Sequence, residues 1–465
     1  MKKSLLALLV LVLLYPALPW VLGRTIEQRV DAYTDQLQDQ MPYMSIIQTR
    51  FTRGWFTSDE EITIGGGTPV PGLPGGALTI HNVIHHGPIC GFDCLGLARV
   101  DTHFVFPPGA QASIAKIFGK AEPVTIQTRL HLQGGLTTTL ASPPLADVTL
   151  DDGSRVTSSG FTFTVEQAAQ AERLAMRGNL AQIRYRNHKG MQIELDGAAF
   201  TSDSQRLLRS LYSGDAAFNV EKIAVSGLPQ GAATLSDMHL TTRSSAAAGF
   251  LTVTIAFGSG HIETKPLTLT STDFDFSYRH LDTEALESLT AALGLVNHDG
   301  AIAPADRGEK LAAVLRDKAP ALLLQAPEFT VDKIRLRNDA GALQITGSLK
   351  LVGFAAADLG PDAGLKALLQ KLHAEVDLAC DQAFLASLPN GAGLSAQLQS
   401  FVQQGLATLE HGQFHSKLVF ADGKLTFNGQ SPPTPAAPPT PGAPPAPAAP
   451  PTPARPQRTA PTATQ

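Results

Sequence analysis

Apolar and polar side chains alternate along most of this chain, and this alternation limits the possible folds more than any other feature. Successive side chains of a β-strand point to opposite faces of a sheet, so strict alternation puts the apolar residues on one face. Parallel sheets need nearly continuous apolar strands, so the pattern predicts antiparallel sheet with one polar face. Examples of the alternating apolar residues are Phe161, Phe163 and Val165, then Leu251, Val253, Ile255 and Phe257, then Phe274, Phe276 and Tyr278.

Short turn signals and a few leucine-rich segments divide this alternating pattern. Turn signals at Asp152-Gly153, Asn338–Gly341 and Asp422-Gly423 predict hairpins and meanders between neighbouring strands. Leucine spacing predicts helices from Asp282 or Thr283 to Gly294, at Leu311–Leu315 with a break at Pro320, at Leu365–Leu372 and at Leu394–Leu409. The fold class is therefore mainly β with some α: an elongated antiparallel β-sheet or meander with packed helices.

Two strands share an internal pattern that predicts a local irregularity. Phe218–Val225 and Phe329–Leu336 both read Phe-x-Val-acid-Lys-Ile-x-apolar, and the alternation slips by one residue at the acid-Lys pair. A bulge or kink would produce such a slip. The echo also predicts two similar β-rich halves that meet near residues 296–310, with coincidence as the alternative.

The N-terminal run Leu5–Leu22 carries no charge and follows Lys2 and Lys3. At about 1.5 Å per residue it reaches roughly 27 Å as a helix, which is enough to cross the apolar core of a bilayer. The flanking lysines predict a cytoplasmic N-terminus. We expect an uncleaved transmembrane helix at residues 1–23; a cleaved signal peptide ending near Val21-Leu22-Gly23 is the alternative.

The chain beyond the anchor divides by composition and pattern. Spacings of three and four residues predict a membrane-proximal amphipathic helix at residues 24–41. A first β-rich part covers residues 42–296 and a second part of strands and helices covers 297–430. Residues 431–465 are Pro, Ala and Thr with few exceptions, which predicts a disordered Pro-rich C-terminal tail.

Composition excludes some classes of function. Charged residues make up 17% of the chain, and the formal net charge is −5 without a Lys/Arg run, which argues against nucleic acid as a partner. The sequence has no Gly-x-Ser-x-Gly and no His-Glu-x-x-His motif, and its acidic pairs are adjacent in sequence. We therefore expect a protein that is not an enzyme, with no catalytic residue, no cofactor and no metal.

Several elements resemble the YdgA-like family of bacterial envelope proteins, a family defined by a domain of unknown function. They are the Lys-headed anchor, the Arg-Gly-x-Phe-x-Ser element (Arg53, Gly54, Phe56, Ser58), the turn at His86, Gly87 and Pro88, the strand Phe218–Val225 and the closing hairpin Phe420–Gln430. The resemblance covers nearly the whole chain through the order and spacing of these elements. It implies a single-pass protein of the bacterial inner membrane with most of its chain in the periplasm, and it implies no activity.

Cys90 and Cys94 are an addition to this family pattern. A disulfide between them is one interpretation, since an oxidising compartment favours it. A zinc site with His81, His85 and His86, or two free thiols, are the alternatives. We expect Cys380 to be a buried thiol.

Two functions follow as expectations. The first is a role in cell-envelope maintenance in which an apolar sheet face binds a lipid or an acyl chain. The second is an envelope scaffold or assembly factor that acts through protein partners, with homo-oligomers among the possibilities. Alternation alone leaves open whether the apolar face is a groove or only the core.

Overall fold

The strands pair antiparallel and form one 23-stranded sheet in the computed structural model of the chain. The structure describes residues 18–25, 27, 44–66, 77–90, 94–298, 302–359 and 364–431. All of them belong to the unit Met1–Ser431, whereas a second unit, Pro432–Gln465, lies outside the described residues. The expected antiparallel, mainly β fold is confirmed. The predicted tail and most of the predicted transmembrane and amphipathic helices lie outside the described residues.

The strands are numbered in chain order. The first part of the sheet contains β1 (Met44–Arg53), β2 (Thr57–Gly66), β3 (Ala77–His86), β4 (Ala98–Val105), β5 (Thr125–Leu130), β6 (Leu136–Ser142), β7 (Leu145–Thr149), β8 (Arg155–Ser158) and β9 (Phe161–Gln167). The middle contains β10 (Arg173–Arg186), β11 (Gln192–Arg206), β12 (Tyr212–Leu228), β13 (Gly231–Ala247), β14 (Phe250–Ser259), β15 (His261–Thr264), β16 (Leu267–Leu269) and β17 (Ser271–Asp282). The last part contains β18 (Glu328–Asn338), β19 (Gly341–Leu351), β20 (Leu372–Asp381), β21 (Thr408–Glu410), β22 (Gln413–Ala421) and β23 (Lys424–Phe427).

Strand order follows the chain with three small insertions. Strands β1 to β6 lie side by side in chain order, and β6 then pairs with β9. From β9 the pairing continues in chain order to β14. From β14 the sheet continues through β17 to β20, then β22 and β23. The strands β7–β8, β15–β16 and β21 extend the sheet beside β10, β13 and β22. This order of neighbouring strands is the meander that the turn signals in the sequence predict.

The helices are α1 (residues 18–25), α2 (Pro108–Phe118), α3 (Thr283–His298), α4 (Pro304–Leu323), α5 (Gly364–Lys371), α6 (Gln382–Ser387) and α7 (Gly391–Gln403). The backbone N–H of Ala285 donates to the Asp282 carboxylate at 2.8 Å, so Asp282 caps α3 as the sequence suggests. Three predicted helix ends are wrong. Helix α3 continues past Gly294, and α4 continues through Pro320 to Leu323. Helix α7 ends before Leu406, and Leu409 belongs to β21.

One face of the sheet is apolar along a continuous row of directly opposed residues. Residues opposite each other in antiparallel strands share a face, so the row can be followed from strand to strand. It consists of Ile126, Leu140, Phe163, Gly178, Phe200, Phe218, Leu240, Phe257, Phe274, Ile334, Ile345 and Leu378. We call the side of the sheet that carries this row the apolar face and the opposite side the polar face.

Both strands of the internal echo are irregular, but in different ways. In β18 the register shifts at Asp332 against both neighbouring strands, so the predicted bulge is confirmed. In β12 the register does not shift at Glu221, so the irregularity there is not a bulge. Instead Gly197, Glu221 and Asp237 all leave the pairing at the same level, with Gly197 at φ +64° and Asp237 at φ +54°. Each strand skips one residue of the pairing at this level, so the alternation between the two faces restarts one residue later. The apolar residues therefore lie on the same face before and after the skip.

Two clusters of deeply buried apolar side chains lie towards the ends of the sheet. Near the C-terminal end, Phe384 and Leu385 of α6 pack with Cys380 of β20, Phe414 of β22 and Leu269 of β16. A smaller cluster near the N-terminal end contains Ile84 of β3 and Ala98 of β4, with further apolar residues against it. The sheet pairs β17 directly with β18 across the predicted boundary at residues 296–310, and α3 and α4 form the connection there.

Candidate functional site

The middle of the apolar face is accessible to solvent. Leu240 and Phe257 are each 39% exposed in the apolar row, and Tyr278 and Leu349 on the same face are 42% and 40% exposed. The alternating set named from the sequence is less exposed: Leu251 is 3% exposed, and Phe161, Phe163, Val253, Ile255, Phe274 and Phe276 are half-buried. Large apolar side chains on adjacent strands, exposed to this degree, mark a surface that can bind a hydrophobic partner.

Aromatic rings order this face. The ring centroids of Phe257 and Phe274 are 4.6 Å apart and nearly parallel, and those of Phe163 and Phe200 are 6.0 Å apart across the strand between them. That strand carries Gly178, where an added Cβ would lie 2.7 Å from Cδ2 of Phe163. A residue with a side chain at this position would push the two rings apart, so Gly178 keeps the row continuous.

Charged side chains on the polar face pair with one another. Arg243 and Asp215 are opposed across β12 and β13 and lie 3.1 Å apart, and Lys333 lies 3.2 Å from Asp275. A cavity of about 540 Å³ lies beside these pairs, lined by Thr201, Asp215, Ala217, Thr241, Arg243, Asp275 and their neighbours. Hydrophobic and charged surfaces are therefore separated by the thickness of one sheet.

The family-motif residues meet α1 at the N-terminal end of the same apolar face. Ser58 Oγ lies 2.8 Å from His86 Nε2, and the other ring nitrogen, Nδ1, lies 3.3 Å from the Trp55 carbonyl. A carbonyl only accepts, so Nδ1 carries the proton and Nε2 accepts from the Ser58 hydroxyl. Gly23 of α1 covers the imidazole so closely that an added Cβ would lie 2.4 Å from His86 Cε1.

This Ser–His pair is a structural contact. Ser58 is 0% and His86 2% exposed, so no substrate reaches the hydroxyl while α1 is in place. Burial lowers the pKa of His86, which outweighs the opposing effect of the backbone carbonyls of Trp55 and Pro19, and nearby Arg53 and His85 lower it further. The imidazole is therefore neutral near pH 7 and able to accept from Ser58.

Arg53 binds Trp20 of α1 and Glu27, two residues beyond the end of α1. Its Nη1 lies 2.9 Å from Glu27 Oε2, and its guanidinium lies 5.4 Å from the centre of the Trp20 ring. Arg53 is opposite Ser58, on the side of the sheet that α1 covers, because the chain reverses at Gly54 in a hairpin turn.

The other motif residues shape the turns beneath α1. The Gly54 N–H donates to the Thr57 carbonyl at 2.8 Å, and the His86 N–H donates to the carbonyl of Phe56, whose ring is 51% exposed. An added Cβ at Gly87 would lie 1.9 Å from the Gly96 carbonyl oxygen, so only glycine fits there. Pro88 follows Gly87 as the chain leaves β3, in agreement with the predicted turn.

Cys90 and Cys94 are joined by a disulfide with a Cα–Cα distance of 5.0 Å, and Cys380 is a free, buried thiol. Burial raises the pKa of Cys380 to about 11. Of the alternative zinc ligands, His81 lies 3.3 Å from Asp59, His85 lies 3.2 Å from Asp101, and His86 lies under α1. Within the described ranges no group of three or more His, Cys, Asp or Glu side chains is arranged to hold a metal ion.

Two parts of this site, the contacts of α1 and a polar network, were not predicted from the sequence. Gly23, Trp20 and Glu27 contact strand residues that follow them by 26 residues or more, and only the spatial fold shows this. At the start of the apolar row, Thr102 donates to Asn82 at 2.7 Å, and Asn82 donates to the buried Glu60 at 2.7 Å. Polar residues at three apolar-face positions of adjacent strands were a signal that could have indicated this network.

Among the residues that the structure describes, none of the helices has the length and apolar character needed to cross a bilayer. Most of the run Leu5–Leu22 lies outside those residues. Its outer end forms part of α1, in which Pro19 is fully buried.

The fold and the site define a class: a single antiparallel sheet with an exposed apolar face and a short N-terminal helix held against its first strands. The chain belongs to the family described as bacterial protein of unknown function (DUF945), whose model matches residues 1–435. It is similar to Protein YdgA of Escherichia coli (strain K12), with 22% identity over 480 residues that cover 92% of this chain and 95% of that protein. The expected YdgA-like resemblance is thereby confirmed. No solved structure matches the chain.

Proposed function

We propose that this chain is a non-enzymatic protein of the bacterial inner membrane that binds lipid acyl chains along the apolar face of a periplasmic sheet. The exposure of Leu240 and Phe257 in an unbroken apolar row carries this proposal. Covering such side chains is favourable by about 25 cal/mol for each Å² of apolar surface removed from water. The same surface left in water would favour aggregation.

The row is longer than one acyl chain and could hold a chain along its whole length. From Phe163 to Ile334 the row crosses eight strands in succession, and strands lie about 4.8 Å apart, so it extends over roughly 34 Å. The apolar core of a bilayer, two acyl chains thick, measures about 30 Å. No member of this row is charged, so an extended alkyl chain would meet apolar side chains at every strand.

The position of α1 supports a membrane source for the lipid. The predicted membrane span ends in α1, which lies against the first strands through Arg53 and His86. These strands carry the start of the same apolar face, beside Ile84 and Val100. A lipid that leaves the bilayer at this end would pass the polar network of Glu60, Asn82 and Thr102 and reach the apolar row from Ile126 onward. A protein partner on the same face is the alternative, and it corresponds to the scaffold function.

A comparison of two neighbouring positions tests the proposal in the full-length protein. Leu240→Cys and Thr241→Cys place a thiol on the apolar and the polar face at the same height, since both residues are exposed and adjacent. Each thiol is labelled with an environment-sensitive fluorophore, and the protein is reconstituted in vesicles of phosphatidylethanolamine and phosphatidylglycerol that contain an acyl-chain nitroxide.

We expect quenching and a blue shift at position 240 and little of either at position 241. Equal signals at the two positions, or a signal at position 240 that does not depend on the lipid, would contradict acyl-chain binding at this face. Labelled wild-type protein gives the background from the native cysteines.

A further inference from the structure

Large apolar side chains are exposed to solvent at one edge of the first strands. Thr57 of β2 is opposite His85 of β3. His86 is opposite Ala98 of β4, which is in turn opposite Leu130 of β5. The β1–β2, β3–β4 and β5–β6 turns therefore follow the same edge of the sheet. At least half of the side chain is exposed at each of five positions in these turns: Trp55, Phe56, Ile89, Leu95 and Leu132. We call these five residues the apolar rim.

The opposite edge of the same strands has a different surface. Val105, at the far end of β4, is the one other large apolar side chain exposed to this degree within the described part of β1 to β9 and their connections. Single apolar residues on a surface are ordinary, whereas a group of five on neighbouring turns indicates an interaction surface.

The Cys90–Cys94 disulfide holds two of the rim residues in place. Both cysteines are buried, and the Cys90 N–H donates to the Cys94 carbonyl at 3.0 Å. Ile89 and Leu95 pair with each other just outside the crosslink and remain exposed, Leu95 to 76%. The crosslinked loop therefore presents two apolar side chains to the outside, although the disulfide itself is inside.

Helix α1 lies at the same edge and indicates what covers the rim. Gly23 of α1 is against His86, at the end of β3. The helix also exposes Leu18 and Val21. The predicted membrane span Leu5–Leu22 leads into α1 and carries no charge. A bilayer that contains this span would therefore reach the rim.

We propose that the apolar rim enters the headgroup interface of the bilayer that holds the predicted span. Tryptophan is typical of this interface, because the ring is apolar and its N–H can still bond to water or to lipid oxygens. The β1–β2 turn (Gly54–Phe56) and the β5–β6 turn (His131–Gly135) contain no Asp or Glu, so their insertion does not bury a carboxylate. The inference rests on the membrane placement in the proposed function, but it does not depend on acyl-chain binding along the apolar row.

The fluorescence of Trp55 tests this contact in the full-length protein. Trp20→Phe leaves Trp55 as the only tryptophan of the chain. The variant is reconstituted in vesicles of phosphatidylethanolamine and phosphatidylglycerol in which part of the phospholipid carries bromine near the top or near the end of an acyl chain. We expect shallow bromine to lower the Trp55 emission about twofold and deep bromine to lower it less, because interfacial tryptophan lies at the level of the headgroups.

Val105→Trp in a chain that also carries Trp20→Phe and Trp55→Phe is the matched control. Position 105 is about as exposed as position 55 but lies at the opposite edge, so its emission should not respond to either bromolipid. Leu132→Asp, added to Trp20→Phe, should reduce the quenching of Trp55 about twofold, because a carboxylate in the rim resists transfer from water. Circular dichroism of each variant verifies that the sheet is folded.

Three results overturn the rim contact: an unquenched Trp55 in protein that floats with the vesicles, equal quenching at positions 55 and 105, or unchanged quenching in the Leu132→Asp variant. Each of them leaves acyl-chain binding in place if the lipid signals at position 240 persist. Protein that does not float with the vesicles overturns the membrane placement in the proposed function, and the rim contact with it.

Discussion

The same substitution at two leucines tests where the core of this sheet lies. Leu385 of α6 is 7% exposed and packs with Cys380, Phe384 and Phe414, whereas Leu240 in the apolar row is 39% exposed. We compare Leu385→Ala with Leu240→Ala, so the chemistry of the change is identical and only the surroundings differ.

The expected losses follow from burial. At Leu385 the change removes buried methyl groups and leaves a cavity, which costs about 2–5 kcal/mol. At Leu240 only some three-fifths of the side chain is covered, and an open surface leaves no enclosed cavity. At about 0.8 kcal/mol for each buried carbon, the cost there is about 1–1.5 kcal/mol. Leu385→Ala should therefore lose about 0.5–4 kcal/mol more than Leu240→Ala.

Urea titration of the full-length protein in mild detergent, followed by far-ultraviolet circular dichroism, measures the two losses. The midpoint should fall clearly for Leu385→Ala and only slightly for Leu240→Ala, with unchanged slopes. Equal losses at the two positions would refute the reasoning, because Leu240 would then be buried as deeply as Leu385 and could not offer a binding surface.

Three further perturbations test the N-terminal site. Gly23→Ala should displace α1, because the added Cβ would lie 2.4 Å from His86 Cε1, and should therefore speed proteolysis near Arg24. Gly294→Ala is the control, because its added Cβ meets open space, and it should leave the rate of proteolysis unchanged. The pKa of His86 in the folded protein lies below its unfolded value of about 6.5, so its contribution to the free energy of unfolding should be complete above that pH and fall as the pH drops below it. The variant His86→Gln should flatten this part of the plot of unfolding free energy against pH. An unchanged slope in the variant would contradict the argument. Thiol labelling of denatured, unreduced protein should modify Cys380 alone, and labelling of Cys90 and Cys94 would contradict the disulfide.

Alternation alone was enough to predict the antiparallel sheet and its apolar residues. Period two determines which side chains share a face, and the turn signals at Asn338–Gly341 and Asp422-Gly423 lie between paired strands as expected. Alternation could not tell whether the apolar face is covered. That depends on where the helices pack, and α6 covers Leu269 and Phe414 but leaves Leu240 exposed.

The irregular strands show a second limit of sequence reasoning. The slip at Glu221 was visible in one strand, but its geometry depends on Gly197 and Asp237 in the two neighbouring strands, which leave the pairing together with it. At Asp332 no such compensation occurs, and the register shifts. A single strand cannot indicate which of the two will happen, since pairing is a property of neighbours.

The sequence named the motif residues as a set but did not indicate which residues they contact. Arg53, Ser58 and His86 meet at α1 because the hairpin at Gly54 brings them together. Their partners Gly23 and Trp20 lie in a segment that the sequence assigned to the membrane. Contacts between residues this far apart in the chain carry no periodic signal, so pattern analysis cannot reveal them.

Photocrosslinking in living cells tests acyl-chain binding at the apolar face most directly. A benzophenone amino acid is placed at Leu240 in one strain and at Thr241 in another, and the crosslinked species are identified by mass spectrometry. The account predicts phospholipid adducts at position 240 and none at position 241. Protein adducts alone at position 240, or lipid adducts of equal yield at both positions, would contradict it.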